Sequence, residues 1–204
     1  MKPQVGKREE KKTLQRMEIV QVFVKALESE DLIHLKVQDL CDAIGISKVT
    51  FFKYFESKES VLLHYTSTWL YLLTYEIGKN KLQGIDAIRR VFQAVGGAGN
   101  SQHVMNGILH HFIKQENYHM PILTDIERYL ISPEAFEAGV RRKSIRVLIE
   151  DGLEVLVADQ EDRKRLFRVL EAGFYGVALR SKIRDSSLQD NYREFVDTVL
   201  EAYL

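Results

Sequence analysis

Residues 37–62 read VQDLCDAIGISKVTFFKYFESKESVL, and this stretch decides the fold. Four of its apolar side chains recur at a spacing of i, i+3, i+4 and i+7, which places them on one face of a helix: Val37, Leu40, Cys41 and Ile44. Gly45 then supplies the backbone freedom that a sharp turn between two helices requires. Ser47 can cap a second helix by accepting a hydrogen bond from the backbone amide near Thr50. The stretch therefore predicts two short helices joined by a tight turn.

The second of these helices has two different sides. Phe51 and Phe55 share one face, so they can pack back onto the first helix. The side chains on its other faces are basic, small or apolar: Lys48, Val49, Thr50, Phe52 and Lys53. A short second helix that is held by apolar residues and turns basic and small polar groups outward is what a helix-turn-helix unit presents to DNA.

A third helix begins at the end of the same stretch. Ser57 can act as its N-cap, and Glu59 in the first turn suits the positive end of the helix dipole. Lys58 is unfavourable there on dipole grounds alone. A phosphate arriving at this helix start would be held by free backbone amides together with Lys58. The alternative is an ordinary surface lysine.

At these positions the chain resembles the TetR family of bacterial transcriptional repressors. The family pattern has a valine, an isoleucine-alanine pair, a glycine-valine-serine turn, a leucine-tyrosine pair, a phenylalanine and a serine-lysine-glutamate start. The matching positions here are Val37, Leu40-Cys41, Gly45-Ile46-Ser47, Thr50, Phe51-Phe52, Phe55, Ser57-Lys58-Glu59 and Val61. The resemblance implies an all-α fold with an N-terminal three-helix helix-turn-helix head over residues 1–57. A C-terminal helical body for ligand binding and dimerisation would occupy residues 58–204.

The same resemblance implies which residues meet DNA: Ser47, Lys48, Val49, Thr50, Phe52, Lys53, Tyr54 and Lys58. Four positions depart from the family. Asp31 stands where glycine is usual, and Lys36 where a helix-capping threonine is usual. Phe52 stands where the family has a tyrosine whose hydroxyl reaches a phosphate, so one hydrogen bond with a net contribution of about 1 kcal/mol is lost. Tyr54 carries a hydroxyl nearby. Val49 replaces a smaller residue, and its side chain can touch a thymine methyl or restrict approach.

Composition favours a helical, cytoplasmic protein. The chain has 204 residues, 45% hydrophobic and 28% charged, and no proline lies between Pro3 and Pro121, which favours long helices. No apolar run approaches the roughly 20 residues that a membrane span requires, and no apolar signal segment follows the basic start. One cysteine cannot form an internal disulfide, so we expect a reducing cytoplasm and no membrane.

The charge is neutral overall but unevenly distributed. Residues 1–16 carry six lysines and arginines against two glutamates, a local balance of +4. Residues 48–58 contain three lysines, Lys48, Lys53 and Lys58, and one acidic residue, Glu56. A basic patch on a neutral protein is enough to steer phosphates, and the alternative is a solvated tail with ordinary surface lysines.

The remaining helices follow from apolar periodicity. We predict helices over 11–27, 58–79, 84–94, 101–116, 133–156, 161–184 and 188–204. The first has the apolar stripe Met17, Val20, Phe23, Val24 and Leu27. Residues 96–100, GGAGN, resemble a phosphate loop but lack the following Gly-Lys-Ser/Thr, so we interpret them as a helix-breaking turn.

A small organic effector would suit aromatic side chains with hydroxyl or imidazole groups. The candidates in the body are Trp69, Tyr71, Tyr75, His103, His110, Phe112 and Phe174; the alternative for each is plain core. The spacing of His103, His110 and His111 does not favour a metal site. The sequence contains no Ser/His/Asp triad order, no zinc-hydrolase motif and no nucleotide-binding motif, so we predict neither an enzyme nor a bound cofactor.

The last two predicted helices have wide apolar stripes. One carries Leu166, Val169, Leu170, Gly173, Phe174, Val177 and Ala178, with Gly173 and Gly176 permitting close approach; the other carries Leu188, Tyr192, Phe195, Val196, Val199, Leu200 and Tyr203. Pairing with a second copy predicts a homodimeric four-helix bundle, and burial within one chain is the alternative. The predicted function is a repressor that a small molecule releases from a palindromic operator. The runner-up is a helical ligand-sensing or protein-interaction module that no longer reads DNA.

Overall fold

A computed structural model of the chain describes residues 2–114 and 119–203. These residues form helices and no strand, which confirms the all-α class. The helices are α1 Lys7–Ala26, α2 Val37–Ile44, α3 Lys48–Phe52, α4 Lys58–Lys79, α5 Gly84–Gly96, α6 Ser101–Lys114, α7 Asp125–Ile131, α8 Pro133–Glu137, α9 Ile145–Leu156, α10 Gln160–Arg184 and α11 Leu188–Tyr203. None of the described helices is both long enough and apolar enough to cross a membrane.

The chain divides into two compact units. The first comprises Met1–Trp69 and His103–Val140, and the second comprises Leu70–Gln102 and Arg141–Leu204. The first unit thus contains the predicted DNA-binding region 1–57 together with segments that we placed in the body. The functional boundary at residue 57 stays a prediction.

The core of the first unit forms where α1 meets the α2–α3 pair. The side chains that are almost fully buried there are Ile19, Phe23, Leu27, Leu32, Leu40, Cys41, Phe51 and Leu62. In the predicted stripe of α1, Phe23 and Leu27 are fully buried, whereas Met17 and Val24 are half-buried and line a cavity with residues of α4 and α7. Ile19 was not part of that stripe, yet it is fully buried.

Helix α6 anchors the connection between α1 and α2. Asp31 Oδ1 lies 2.8 Å from His103 Nδ1 and accepts a hydrogen bond from Asn106 Nδ2 at 2.9 Å. Gly107 allows the close approach, because a Cβ there would lie 3.2 Å from a methyl of Leu32 in this connection and 2.8 Å from a methyl of Leu62 on α4. The connection is therefore held by both polar contacts and packing.

The second unit is built around α5, which packs against α9 and α11, while α10 packs along α11. Its centre is a cluster of aromatic rings. Phe92 lies edge-on to Phe174 and Tyr192, with centroid distances of 5.6 Å and 5.3 Å. The Tyr192 hydroxyl donates a 2.6 Å hydrogen bond to the backbone oxygen of Phe174. This bond satisfies the polar atom that the buried ring brings with it.

The predicted helix over 133–156 is wrong, because the chain forms two helices there. Helix α8 ends at Glu137, and Gly139 takes a positive φ of 69°. Ser144 then caps α9 by accepting a hydrogen bond from the Val147 amide. Helix α7, which we did not predict, precedes both. The predicted positions 115, 116 and 204 lie outside the described residues.

Helix α1 begins at Lys7, four residues before its predicted start, although no side chain caps it. Helix α5 extends to Gly96, two residues past its predicted end. The predicted 58–79 helix is confirmed at both ends.

Replacing Gly173 tests the close packing of α10 on α11. A Cβ at Gly173 would lie 1.8 Å from the Phe195 ring, whereas nothing lies within 4 Å of one at Gly176. Both Gly→Ala changes gain similar helix propensity. We therefore expect Gly173→Ala to have a free energy of unfolding about 1–3 kcal/mol below that of Gly176→Ala, measured by denaturant titration. Equal values would show that Phe195 moves aside without cost.

Candidate nucleic-acid interface

The turn before α3 is closed by backbone and side-chain hydrogen bonds. Gly45 takes a left-handed φ of 75°, and the amides of Gly45 and Ile46 both donate to the Cys41 oxygen, at 2.9 Å and 3.0 Å. Ser47 Oγ accepts a 3.1 Å hydrogen bond from the Thr50 amide. The predicted glycine turn and the predicted Ser47 cap are both confirmed.

The two predicted sides of α3 are also present. Phe51 is fully buried and Phe55 nearly so, with ring centroids 6.2 Å apart. On the other side, Val49 is 68% exposed and Phe52 is 51% exposed. Lys48 is exposed as well. Helix α3 is therefore attached by its aromatic face, and its remaining faces are open to a partner.

Three lysine side chains near α2 and α3 have no close ionic partner among the described residues. Lys36, Lys48 and Lys53 are exposed, and among residues 2–114 and 119–203 none of their side chains forms a hydrogen bond or an ion pair. Lys2, which precedes α1, does have an ionic partner, because its Nζ lies 2.6 Å from the Glu10 carboxylate. The three lysines near α2 and α3 remain available to phosphate groups. Their contact with DNA, like that of the other predicted reading residues, stays a prediction.

Lys58 has a structural role that its position in the sequence did not indicate. Its Nζ donates to the backbone oxygens of Ile33 and Leu35, at 3.1 Å and 2.8 Å. The ammonium has three N–H donors, so one remains for a phosphate. Ser57 and Ser60 exchange reciprocal 3.2 Å hydrogen bonds at the start of α4, which confirms Ser57 as a cap.

A buried charged cluster lies behind this surface in the first unit. The Glu127 carboxylate is buried, and its Oε1 accepts a 2.8 Å hydrogen bond from Arg16 Nη1 and lies 3.4 Å from His64 Nε2. Its Oε2 accepts hydrogen bonds from the amide and hydroxyl of Thr124, at 2.8 Å and 2.9 Å. The cluster ties α1, α4 and α7 together.

Burial and charge move two pKa values in this cluster. Burial lowers the pKa of His64 below its ordinary 6.5; the Glu127 carboxylate opposes this shift, and Arg16 adds to it. Burial alone would raise the pKa of Glu127, but the Thr124 amide, the Arg16 guanidinium and His64 together hold that pKa below 4.5. The cluster is therefore most stable with the carboxylate ionised and the imidazole neutral.

The seven predicted ligand residues are divided between the two units. Phe174 and Tyr71 are buried in the second unit, which also contains half-buried Tyr75, with Lys79 Nζ 5.4 Å from its ring. His103 holds Asp31 in the first unit. The remaining three are half-buried there: Trp69, His110 and Phe112.

Four cavities lie within single units of the described chain, and none is lined by these seven side chains. One of them, of about 420 Å³, is instead lined by Arg16, His64 and His111, which we did not predict as ligand residues. Helical periodicity marks these positions only as parts of helices, so it gave no signal for them.

Comparisons with protein-family models, with curated proteins and with solved structures found no match to this chain. The resemblance to the TetR family therefore rests on the residues quoted above and stays a prediction. Among the described residues, no group of three or more histidine, cysteine, aspartate and glutamate side chains is placed to hold a metal ion.

The charged cluster predicts how stability changes with pH. Because the folded pKa of His64 lies below 6.5, the unfolded chain binds a proton below that pH that the folded chain does not. Stability should fall as the pH drops below 6.5, and fall further below 4.5 as unfolded Glu127 is protonated. In His64→Gln the decrease just below pH 6.5 should be smaller than in the original chain. Denaturant titrations of both chains from pH 7 to about pH 3.5 measure these decreases. Equal slopes of the two chains just below pH 6.5 would contradict a neutral buried imidazole.

Proposed function

We propose that the protein is a sequence-specific DNA-binding transcriptional regulator of the helix-turn-helix type, in which α3 enters the major groove. The observation that supports this most strongly is the open side of α3, where exposed Lys48 and Lys53 stand beside exposed Val49 and Phe52. A five-residue helix fixed by one aromatic face has no other evident reason to keep its opposite side both basic and apolar.

The side chains on α3 suit both parts of DNA recognition. Lys48 and Lys53 supply charge for the phosphate backbone or for guanine edges. Val49 and Phe52 offer apolar contact to a thymine methyl. The Thr50 hydroxyl lies 3.0 Å from Ser47 Oγ, so its orientation is fixed before any partner arrives. In this proposal α3 recognises the operator through apolar contacts to bases as well as through the charge of its lysines.

Dimerisation through α10 and α11 is part of the proposal. Most of the two predicted apolar stripes are already buried within the second unit, including Leu166, Leu170 and Leu200. The face that remains open carries Leu179 and Ile183, which are 54% and 71% exposed. These residues lie four apart on α10, on one side of the helix, as a helix–helix contact requires.

A dimer would give the short reading helix enough affinity. Two linked heads bind with the advantage of a high effective concentration. They would read half-sites spaced by one helical turn, about 34–36 Å, on a palindromic operator. A small molecule that favours a different arrangement of the heads would release the DNA by population shift, so the regulator would act as a repressor relieved by its ligand.

A protein-interaction module that does not read DNA is the second candidate. The observation that favours it is the exposure of Phe52, an aromatic side chain where a phosphate-binding hydroxyl would suit DNA better. Salt separates the two candidates, because DNA affinity falls steeply with salt in proportion to the phosphates neutralised.

Selection of bound duplexes from a random pool should give a two-fold symmetric consensus. On that consensus, Lys53→Ala should weaken binding and reduce the slope of log affinity against log salt by about 1 for each phosphate that the lysine neutralises. Lys79→Ala is the matched control, because Lys79 is an exposed lysine outside the first unit. Fluorescence anisotropy measures both. Weaker binding in the control alone, or no duplex binding at low salt, would refute α3 as the reading helix.

Charge placed on the open face of α10 should prevent dimerisation. We expect the original chain to sediment as a dimer and the double variant Leu179→Glu/Ile183→Glu to sediment as a monomer, since buried carboxylates without partners are costly. Val155→Glu is the control on α9, where the side chain is 61% exposed. A monomeric original chain would contradict this part of the proposal.

A further inference from the structure

The cavity of about 420 Å³ in the first unit lies against the segment that joins α3 to α4. Its polar lining comes from α1, α4, α6, the residues between α3 and α4, and the residues after α6: Arg16, Tyr54, Glu56, Ser57, Ser60, His64, His111 and His119. All of them belong to the first unit. Cavities of about 300–1,000 Å³ hold small organic ligands, so its size suits a molecule of that class.

The wall offers hydrogen-bond donors to a ligand. Arg16 and three histidines line the cavity against one carboxylate, that of Glu56, which is exposed to solvent. The carboxylate that neutralises Arg16 belongs to buried Glu127, which is not part of the wall. Arginine and neutral histidine both present N–H donors, and arginine presents no acceptor. The polar wall is therefore richer in donors than in ionised acceptors.

Arg16 has the chemistry to hold a carboxylate. Only its Nη1 is engaged, with Glu127 at 2.8 Å, and a quarter of its side chain is exposed. Its Nε is buried and has no hydrogen-bond partner among the described residues. A buried donor without an acceptor is unfavourable, so a small rotation of the guanidinium toward an acceptor in the cavity would be favourable. The planar guanidinium fork matches a carboxylate.

The rest of the wall is apolar. Phe55, Leu63 and Pro121 line the same cavity. The Phe55 ring packs edge-on to the His64 ring, with centroids 5.6 Å apart, which fixes that wall. A ligand that fits both parts has an acidic group at one end and a flat apolar body at the other.

We propose that this cavity is a binding site for a small aromatic carboxylate, whose carboxylate contacts Arg16 and whose ring lies against Phe55 and Leu63. Tyr54 and Ser57 border the site and follow α3 directly, so an occupant would touch the segment that positions α3. The site is defined on the protein alone, and it does not depend on DNA binding.

Calorimetric titration of the full chain with benzoate tests the site, with benzamide as the neutral control. We expect benzoate to bind at millimolar concentrations or below, and benzamide to bind at least about tenfold more weakly, because it lacks the charge that strengthens a hydrogen bond to arginine. Arg16→Lys should weaken benzoate binding about tenfold, since lysine keeps the charge beside Glu127 but lacks the planar fork.

Arg163→Lys is the matched control for that variant. Arg163 Nε is also buried without a partner among the described residues, but the wall of its cavity in the second unit carries four carboxylates against four lysines and arginines. Its benzoate affinity should equal that of the original chain. Equal binding of benzoate and benzamide, an unchanged affinity in Arg16→Lys, or a weaker affinity in Arg163→Lys would each overturn the proposal.

A measurement on the unaltered chain covers the case in which Arg16→Lys does not fold. In amide proton–nitrogen spectra, benzoate should shift the signals of Ser57, Ser60 and His64 and leave those of Glu150 and Glu154 in place. Shifts confined to the second unit, or none at all, would overturn the proposal. Because no DNA is present, failure here is distinct from failure of duplex binding.

Discussion

The carboxylate of Glu127 is the constraint on which the first unit depends. It is fully excluded from solvent, and an ionised group in that position is tolerated only when it is paired and hydrogen-bonded. Arg16 and the Thr124 amide and hydroxyl meet this requirement, and His64 stands beside them. Removing one partner of such a buried pair costs about 3–5 kcal/mol. Helices α1, α4 and α7 are therefore held in one arrangement by the demands of a single charge.

A second set of polar contacts fixes the chain before α2. Lys58 holds the carbonyls of Ile33 and Leu35, and Asp31 is held from α6 by His103 and Asn106. These contacts leave α3 with no structural role beyond burying Phe51. A five-residue helix is too short to be stable alone, so its place is set by its surroundings. Its outward side chains, among them Val49 and Phe52, are consequently not needed to hold it in place.

The features predicted correctly from the sequence are those that depend on residues close together in the chain. The Gly45 turn, the Ser47 cap and the two sides of α3 each depend on residues within one or two turns of one another, and each is present. The pattern Thr124-x-x-Glu127 is also a local signal, a capping box that we did not use, and it begins the unpredicted α7.

Partners that are far apart in sequence were not predictable in this way. Arg16 and Glu127 are 111 residues apart, and Asp31 and His103 are 72 apart. His103 looked like a ligand residue because periodicity shows which face it occupies and not what it faces. The same limit applies to Phe174, whose aromatic partners come from α5 and α11.

The overall charge of the chain is zero, so the field near any one helix depends on which of the nearby charges are paired. In the second unit, several acidic side chains are paired with cations: Glu76 with Arg90, Asp197 with Arg89, and Asp151 with Lys143. Exposed pairs of this kind add little stability, but each cancels a carboxylate's field at close range. Near α2 and α3, Lys36, Lys48 and Lys53 have no such partners among the described residues. Screening at physiological salt limits charge effects to about 8 Å, so a phosphate near α3 would respond to these lysines and to exposed Asp39, Asp42 and Glu56 more than to the overall charge of zero.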